Sequence, residues 1–397
     1  MKHLFKLIMA FSCLFSLQFN SYATIRRVGF VNAVSPVNGL DYISFQAAHD
    51  ASANGDTIQL YPSIINPGNS FYGNINKRLI ILGPGFYYNT YNLPGAGIIN
   101  AGLQILPGGL YANNFTIGTG SAGTKFQGIN GLSLSTSNIL DSLNDISIYR
   151  CRGVGVSFNN SAPCNNWIIS QCVNASVSQS GYSGSFSGNR TISNLRIENC
   201  LGVAINYSAS GPQSPVGINS GQVLNCTLGN PYQFYTTGTE NISGSFTLNN
   251  SVFVIQNCID NGSFPGTGMS NTIYINNLTT TNAQNSPVST NPGSSGNVFG
   301  ITTAGNAIFV GYPTNSSGST TLYSPDAAFQ LSPTSIAKNA GIIPGTNATT
   351  DCGMYGGTNP YKASGLPPVP SFYKLNSPSS TATASPYIMT FSVKSNN

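Results

Sequence analysis

A short pattern of apolar and polar positions recurs through the middle of the chain. It runs apolar, any, apolar, any, any, Cys, and its four clear copies are Ile146-x-Ile148-x-x-Cys151, Trp167-x-Ile169-x-x-Cys172, Leu195-x-Ile197-x-x-Cys200 and Phe253-x-Ile255-x-x-Cys258. Apolar residues that alternate over three positions have the period of a strand, because successive strand side chains point to opposite faces. Each copy therefore predicts a short strand that ends just before a cysteine.

Two further segments extend the repeat. Gly221-x-Val223-x-x-Cys226 is a weaker copy, and Ile273-x-Ile275-x-x-Leu278 has leucine in place of cysteine, so successive last positions differ by 21, 28, 26, 32 and 20 residues. One strand per coil of this length, with Gly, Ser, Asn and Pro between strands, is typical of a solenoid. The middle of the chain lacks the amphipathic runs that helical crossovers would need. The repeat therefore predicts an all-β fold of stacked coils.

The last position of the repeat predicts a buried column of small, soft side chains, because equivalent residues of adjacent coils lie about 4.8 Å apart. Its members are Cys151, Cys172, Cys200, Cys226, Cys258 and Leu278. Free thiols are favoured, since Leu278 replaces a cysteine and no other cysteine is evidently left without a disulfide partner. Disulfides between neighbouring coils are the alternative.

The position before the cysteine predicts an asparagine ladder. Arg150 and Gln171 begin this column, and it continues with Asn199, Asn225, Asn257 and Asn277. Asparagine amides hydrogen-bond both to one another along a stack and to the backbone of a turn.

The two ends of the chain differ from the repeat. Residues 41–51 predict an amphipathic helix with Phe45, Ala48 and Ala51 on its buried stripe. Such a helix would cover the open end of a solenoid, whose strand edges otherwise invite aggregation. Near the C-terminus, a Pro-rich hinge at 366–370 precedes two strand-like runs at 371–375 and 387–393, which predict a small β appendage. A Pro-rich disordered tail is the alternative.

Composition agrees with stacked coils. Only 6% of the 397 residues are charged, whereas 51 Ser, 32 Thr and 48 Asn supply neutral polarity. Like charges in one column would repel each other, and neutral side chains stack without that cost. The net charge of +5, without clustered Lys and Arg, argues against a nucleic-acid partner.

Residues 1–23 predict a secretory signal peptide. Lys2 and Lys6 precede an apolar run at 7–19, and Ser21-Tyr22-Ala23 offers a cleavage site before Thr24. The run is shorter than the ~20 residues of a membrane span, and no other run is long enough, so no transmembrane segment is predicted in the exported chain. Lipidation at Cys13 stays open. The expected location is extracellular or on the bacterial outer surface.

Several motifs resemble those of right-handed parallel β-helix proteins of the pectate-lyase-like superfamily. Gln46-Ala47-Ala48, followed by Gly55-Asp56-Thr57-Ile58, is similar to their N-terminal capping helix and first strand. Phe329 to Gly341 and Asp351 to Gly357 are similar to the close of bacterial β-helix surface proteins. The resemblance spans residues 28–357 and implies a right-handed parallel β-helix. Together with the patterns at the two ends, it predicts a signal peptide at 1–23, the β-helix domain at 24–357 and a hinge with a hairpin-like tail at 358–397.

The resemblance also frames the candidate chemistry. Related hydrolases need clustered Asp residues and a Gly-His-Gly, but after residue 23 the only histidine is His49. Related lyases need Ca²⁺-binding acids and a base, for which Asp145, Glu198, Arg150 and Arg196 are the candidates. Arg196 and Glu198 share one strand face, so a surface salt bridge explains them equally well. No metal or other cofactor is predicted unless the lyase hypothesis holds, in which case Ca²⁺ is.

Two other surfaces suggest binding. Aromatic residues beside Asn and Gln make an uncharged carbohydrate platform, although they could equally pack under loops. These candidates are Tyr87, Tyr88, Tyr91, Tyr232 and Tyr235. The Thr-rich segments 278–281 and 318–321 suggest an ice-binding face, but they do not repeat at coil spacing.

Together these features predict an exported, non-catalytic β-helix protein that acts as a cell-surface or extracellular binding or structural protein with polysaccharide or glycan contact. The alternative is a Ca²⁺-dependent polysaccharide lyase that acts on acidic glycans.

Overall fold

The computed structural model describes the chain in segments. These are residues 23–29, 42–60, 71–83, 85, 113–136, 142–158, 163–179, 191–207, 217–218, 220–228, 233–236, 238–241, 245–247, 252–260, 264, 271–280, 287–301, 307–310, 326–362, 371–376 and 390–394. The predicted signal peptide, apart from Ala23, and the Pro-rich hinge lie outside these residues. No helix within them is long and apolar enough to cross a membrane.

Short strands dominate the described residues. The first fifteen are β1 Ile25–Val28, β2 Thr57–Leu60, β3 Tyr72–Ile75, β4 Ile80–Leu82, β5 Asn113–Ile117, β6 Lys125–Gln127, β7 Leu132–Thr136, β8 Ser147–Tyr149, β9 Arg152–Phe158, β10 Cys164–Asn165, β11 Ile168–Ser170, β12 Val173–Gln179, β13 Thr191–Ser193, β14 Leu195–Glu198 and β15 Leu201–Tyr207.

Fourteen further strands and three short helical segments complete the described residues. The strands are β16 Gly217–Ile218, β17 Ser220–Leu224, β18 Thr227–Leu228, β19 Gln233–Thr236, β20 Gly238–Asn241, β21 Ser245–Thr247, β22 Val252–Gln256, β23 Ile259–Asp260, β24 Ile273–Ile275, β25 Leu278–Thr279, β26 Gly341–Ile342, β27 Thr349–Thr350, β28 Ser371–Asn376 and β29 Thr390–Lys394. The helices are α1 Phe45–Ala51, α2 Pro287–Thr290 and a 3-10 turn at Asp326–Phe329.

Two long parallel sheets organise the chain. The first sheet has the order β1-β2-β4-β6-β8-β11-β14-β17-β22-β24, and the second has the order β25-β23-β18-β15-β12-β9-β7-β5-β3 with β21 beside β15. A small third sheet joins β10, β13 and β16. Each strand pairs in parallel with the equivalent strand of the next coil, as in the register Ile148, Ile169, Ile197. The prediction of an all-β parallel solenoid is confirmed.

The core lies inside the coils and is built from the alternating residues of the repeat. In the first sheet Ile148, Ile169 and Ile197 form one fully buried column, which Val223 and Ile255 continue. Trp167, which opens one repeat, packs edge-on against Phe158 with ring centroids 4.8 Å apart. The period-two pattern thus places its apolar residues on the inner face.

Helix α1 packs beside the edge strand β3 of the second sheet. Ser44 caps it, because its Oγ accepts the Ala47 N–H at 3.3 Å. Phe45 and Ala48 are buried as predicted, but Ala51 is exposed. The buried face instead includes His49, since the helix ends at Ala51 and Ser52 turns back with its Oγ donating to the Ala48 carbonyl. The predicted stripe was therefore wrong at its third position.

The segment 337–361 runs back along the outside of the solenoid. Its contacts progress from Ile342 against Asn257, through Met354 against Asn199, to Asn359 against Gln171. A second apolar cluster lies on the outer side of the second sheet. It joins strand residues to this segment and to the part of the chain before it. Its main members are Val173, Leu201, Ile259, Leu278, Phe309, Phe329, Cys352, Met354 and Tyr361. The motif expected to close the far end thus contacts the side of several coils. Beyond it, β28 and β29 pair antiparallel.

Candidate functional site

Five cysteines form one column at the corner between the first and second sheets. They are Cys151, Cys172, Cys200, Cys226 and Cys258, all fully buried and none in a disulfide. The backbone N–H of each of the first four donates to Sγ of the next cysteine at 3.4 Å, as between Cys172 and Cys200. Each thiol also lies 3.2–3.4 Å from the carbonyl oxygen two residues earlier. The thiols therefore form hydrogen bonds with backbone N–H and C=O groups at the corner, where the chain leaves the first sheet.

The column does not end as the sequence pattern predicts. Ile259 pairs with Leu278, so Asn277 lies opposite Cys258 and accepts its N–H on Oδ1 at 2.9 Å. Tyr274 is buried on the inner face and Ile275 is not, which shifts this copy of the repeat by one residue. The assignment of Leu278 to the column was wrong, because Leu278 instead packs in the outer apolar cluster.

The residue before each cysteine adopts the left-handed conformation that turns the chain at the corner. These residues are Arg150, Gln171, Asn199, Asn225, Asn257 and, in the last copy, Asn276, with φ between 50° and 56°. The last member is Asn276 and not the predicted Asn277, for the same shift in register. Asparagine suits this conformation, which costs other residues roughly 1–2 kcal/mol.

The amides of this corner column mainly hold the C-terminal segment. Asn199 Nδ2 donates to the carbonyls of Met354 at 2.9 Å and Gly356 at 2.7 Å. Asn257 Nδ2 donates to the Ile342 carbonyl at 2.9 Å and also to Asn225 Oδ1 at 3.1 Å. The predicted bonding along the stack is therefore present between these two residues, but the larger role is lateral docking.

A second polar ladder lies at the opposite end of the same strands and was not predicted. Asp145, Asn166 and Asn194 all have left-handed backbone, and each amide donates to the residue of the preceding coil, at 3.0 and 3.2 Å. These residues stand directly before the first apolar residue of three copies of the repeat. This constant position in the repeat is the sequence feature that would predict the second ladder.

The four lyase candidates do not converge. Arg196 and Glu198 form a salt bridge of 2.6 Å on the outer side of the first sheet. Arg150 is buried at the corner, where its Nε donates to Gln171 Oε1 at 2.8 Å. Asp145 lies beyond the other end of β8, five residues or about 16 Å of extended chain from Arg150. The four candidates therefore make three separate sets of contacts, with Asp145 and Arg150 beyond opposite ends of β8.

The electrostatics of these groups follow from their surroundings. Burial lowers the pKa of Arg150, and the nearby Tyr361 opposes that shift. Burial also raises the pKa of Tyr149, and the charge of Glu198 raises it further. Within the described segments no group of three His, Cys, Asp or Glu side chains is placed to hold a metal ion.

The predicted binding surfaces are only partly covered by the structure. Tyr87, Tyr88, Tyr91 and Tyr232 lie outside the described residues, and Tyr235 is described only as part of strand β19. Thr279, from one Thr-rich segment, is buried and donates its Oγ1 to Asp260 Oδ2 at 2.8 Å. It therefore does not contribute to an exposed threonine array, and 318–321 lies outside the described residues.

Comparisons of the chain with protein-family models, with curated proteins and with solved structures find no match. The function is therefore argued from the fold and its residues.

The thiol column predicts unreactive cysteines. Burial raises the pKa of Cys172, Cys200 and Cys226 well above the usual range, so the nucleophilic thiolate is scarce and out of reach. A chain of residues 24–397 holds seven cysteines. In folded protein we expect none to react with Ellman's reagent at pH 8, and all seven to react in 6 M guanidinium. Fewer than seven under denaturing, non-reducing conditions would indicate disulfides and contradict the free-thiol column.

Proposed function

We propose that the chain is an exported, right-handed parallel β-helix of the pectate-lyase-like type that acts without catalysis, as a cell-surface or extracellular binding or structural protein that contacts glycans. In this proposal α1 caps the solenoid and 358–397 forms a separate appendage. Right-handedness is supported by the strong preference of parallel strand connections for that hand. The position of α1 beside the edge strand β3 supports a capping role.

One observation carries the non-catalytic part of the proposal. Each candidate for acid–base chemistry is engaged in a structural contact: Arg196 with Glu198, Arg150 with Gln171, and Asp145 with Asn166. A general base must lie within hydrogen-bonding reach of the proton that it removes, and the acid and the base must face the same substrate. The three separate contacts of these residues support a role without catalysis.

A contact near the predicted cleavage site supports export. The Thr24 backbone nitrogen lies 2.8 Å from Asp56 Oδ1, and Arg26 Nη2 lies 3.3 Å from Oδ2 of the same carboxylate. Cleavage after Ala23 would convert the Thr24 nitrogen into an ammonium group next to this acid. The described fold therefore accommodates a new N-terminus at the position where the sequence predicts one.

The proposal predicts glycan binding without turnover. We expect residues 24–397 to bind at least one polysaccharide in a panel, and to generate no absorbance at 235 nm from polygalacturonate, alginate or chondroitin in the presence of Ca²⁺. That absorbance reports the unsaturated uronate that a lyase forms. Product formation that Glu198→Gln abolishes would establish the lyase alternative and contradict the proposal.

A further inference from the structure

The outer side of the second sheet carries two columns of small neutral side chains, which we name the hydroxyl face. The columns cross strands β3, β5, β7, β9 and β12 in register. The hydroxyl face consists of Tyr72, Asn114, Ser133, Gly155 and Ser176 in one column and Asn74, Thr116, Ser135, Ser157 and Ser178 in the other.

These side chains point outward because the residues between them are buried. Phe115, Leu134, Val156 and Val177 lie between the two columns at 0–1% exposure. Neighbouring strands lie about 4.8 Å apart and alternate residues of one strand about 6.6 Å apart, so the face is a regular grid. Oγ atoms of adjacent rungs interact, as in Ser157 and Ser178 at 3.1 Å.

Two residues indicate that the face is open. A methyl group built on Gly155 would meet no atom of the described residues within 4 Å. Tyr72, at one end of its column, is 74% exposed. On β15 the first column meets the buried Ala204, whereas the second column is followed by the exposed Asn206.

The chemistry of the hydroxyl face restricts the kind of ligand that it can bind. None of its ten residues is ionisable at neutral pH, so it lacks the Lys and Arg that a polyanion needs. Its area, about 24 Å by 13 Å from strand spacing, is roughly 300 Å². Two copies of the chain would bury only about 600 Å² there, against the roughly 1,200 Å² of a stable protein interface. A second copy of the chain is therefore a poor fit.

We infer that the hydroxyl face binds a neutral polysaccharide chain that lies across the strands, along the stack of coils. Serine and threonine hydroxyls both donate and accept hydrogen bonds, as sugar hydroxyls do. The rung spacing is close to the length of one pyranose ring, so successive sugars meet successive coils, and the exposed ring of Tyr72 offers a stacking surface at one end. This inference rests on the proposed glycan-binding function and adds its site and the charge class of the ligand.

Affinity electrophoresis of residues 24–397 in gels containing xylan, mixed-linkage β-glucan, mannan or amylose tests the inference. We expect at least one of these to retard the protein, and retardation to be equal at 20 and 500 mM NaCl, because a neutral ligand is not screened. Gly155→Trp places a bulky ring in the middle of the face and is expected to weaken retardation at least tenfold. Tyr72→Ala is expected to weaken it severalfold.

Two controls separate binding from folding. Gly155→Ser adds a hydroxyl at the same strand position and is expected to preserve or strengthen retardation. Gln222→Trp adds the same ring at an exposed position on the first sheet and is expected to have no effect. Full retardation of folded Gly155→Trp would overturn the inference, as would ice shaping by a protein that none of the neutral polymers retards. Retention by acidic polymers alone, without turnover, would overturn the inference but leave the proposed function in place.

Discussion

Replacing Asn199 with glycine is expected to lower the free energy of unfolding by about 3 kcal/mol and to release residues 342–361 from the side of the solenoid. Asn199 is 1% exposed, and its Nδ2 donates to the carbonyls of Met354 and Gly356. The buried Gly356 carbonyl then loses its partner, at a cost of about 1–3 kcal/mol, whereas the Met354 carbonyl loses one donor but keeps the Tyr361 N–H. Glycine keeps the left-handed backbone at no steric cost, so the loss reports the side chain together with the entropy that glycine adds to the unfolded chain.

Asn194→Gly is the matched control for this prediction. Asn194 lies five residues earlier, has φ 56° against 52° for Asn199, and is exposed with one amide bond, to Asn166. Its replacement is expected to cost about 1 kcal/mol or less, mainly from the entropy of the unfolded chain. Urea unfolding of both variants measures the difference. Hydrogen exchange should show faster exchange of 342–361 only in Asn199→Gly. Equal losses in the two variants would contradict lateral docking through the corner column.

The inner columns could be predicted because local chemistry decides them. In each clear copy, strand periodicity and a single small polarisable residue coincide, and only one register buries Ile148, Ile169 and Ile197 together. The corner was also predictable, since Asn is the residue that best tolerates left-handed backbone. The opposite ladder of Asp145, Asn166 and Asn194 follows from the same rule, since each of these residues stands directly before the first apolar position of its copy.

Features that depend on distant segments could not be predicted in the same way. The docking of Met354 and Tyr361 on the outer side of the second sheet joins residues more than 150 positions apart in the chain. Nothing local to Val173 or Leu201 distinguishes an outward apolar residue that a later segment covers from one that faces solvent. The four lyase candidates are a related case, because a list of scattered ionisable residues carries no information about which turn of a coil each one occupies.

The last copy of the repeat exposes the limit of periodicity. Ile273 and Ile275 are more apolar than Tyr274, yet Tyr274 is the residue that points inward. The ambiguity arises because a one-residue shift exchanges the two faces of a strand, and both choices here bury an acceptable side chain. Polar groups resolve it: the buried N–H of Cys258 needs an acceptor, and Asn277 Oδ1 provides one where Leu278 cannot.

Asn277→Leu is therefore expected to lower the free energy of unfolding by about 3 kcal/mol, since a buried N–H left without an acceptor costs about 1–3 kcal/mol and further bonds are lost with it. Asn277 Nδ2 also donates to the Ile255 carbonyl at 2.8 Å and to Asn297 Oδ1 at 3.0 Å.

Asn277→Cys is the control, because four thiols already accept the N–H of the preceding cysteine in this column, and its expected cost is about 1 kcal/mol. Urea unfolding of the two variants measures the gap. If Asn277→Leu is as stable as Asn277→Cys, the Cys258 N–H does not need an acceptor on this residue. That result would favour the register that places Leu278 in the column.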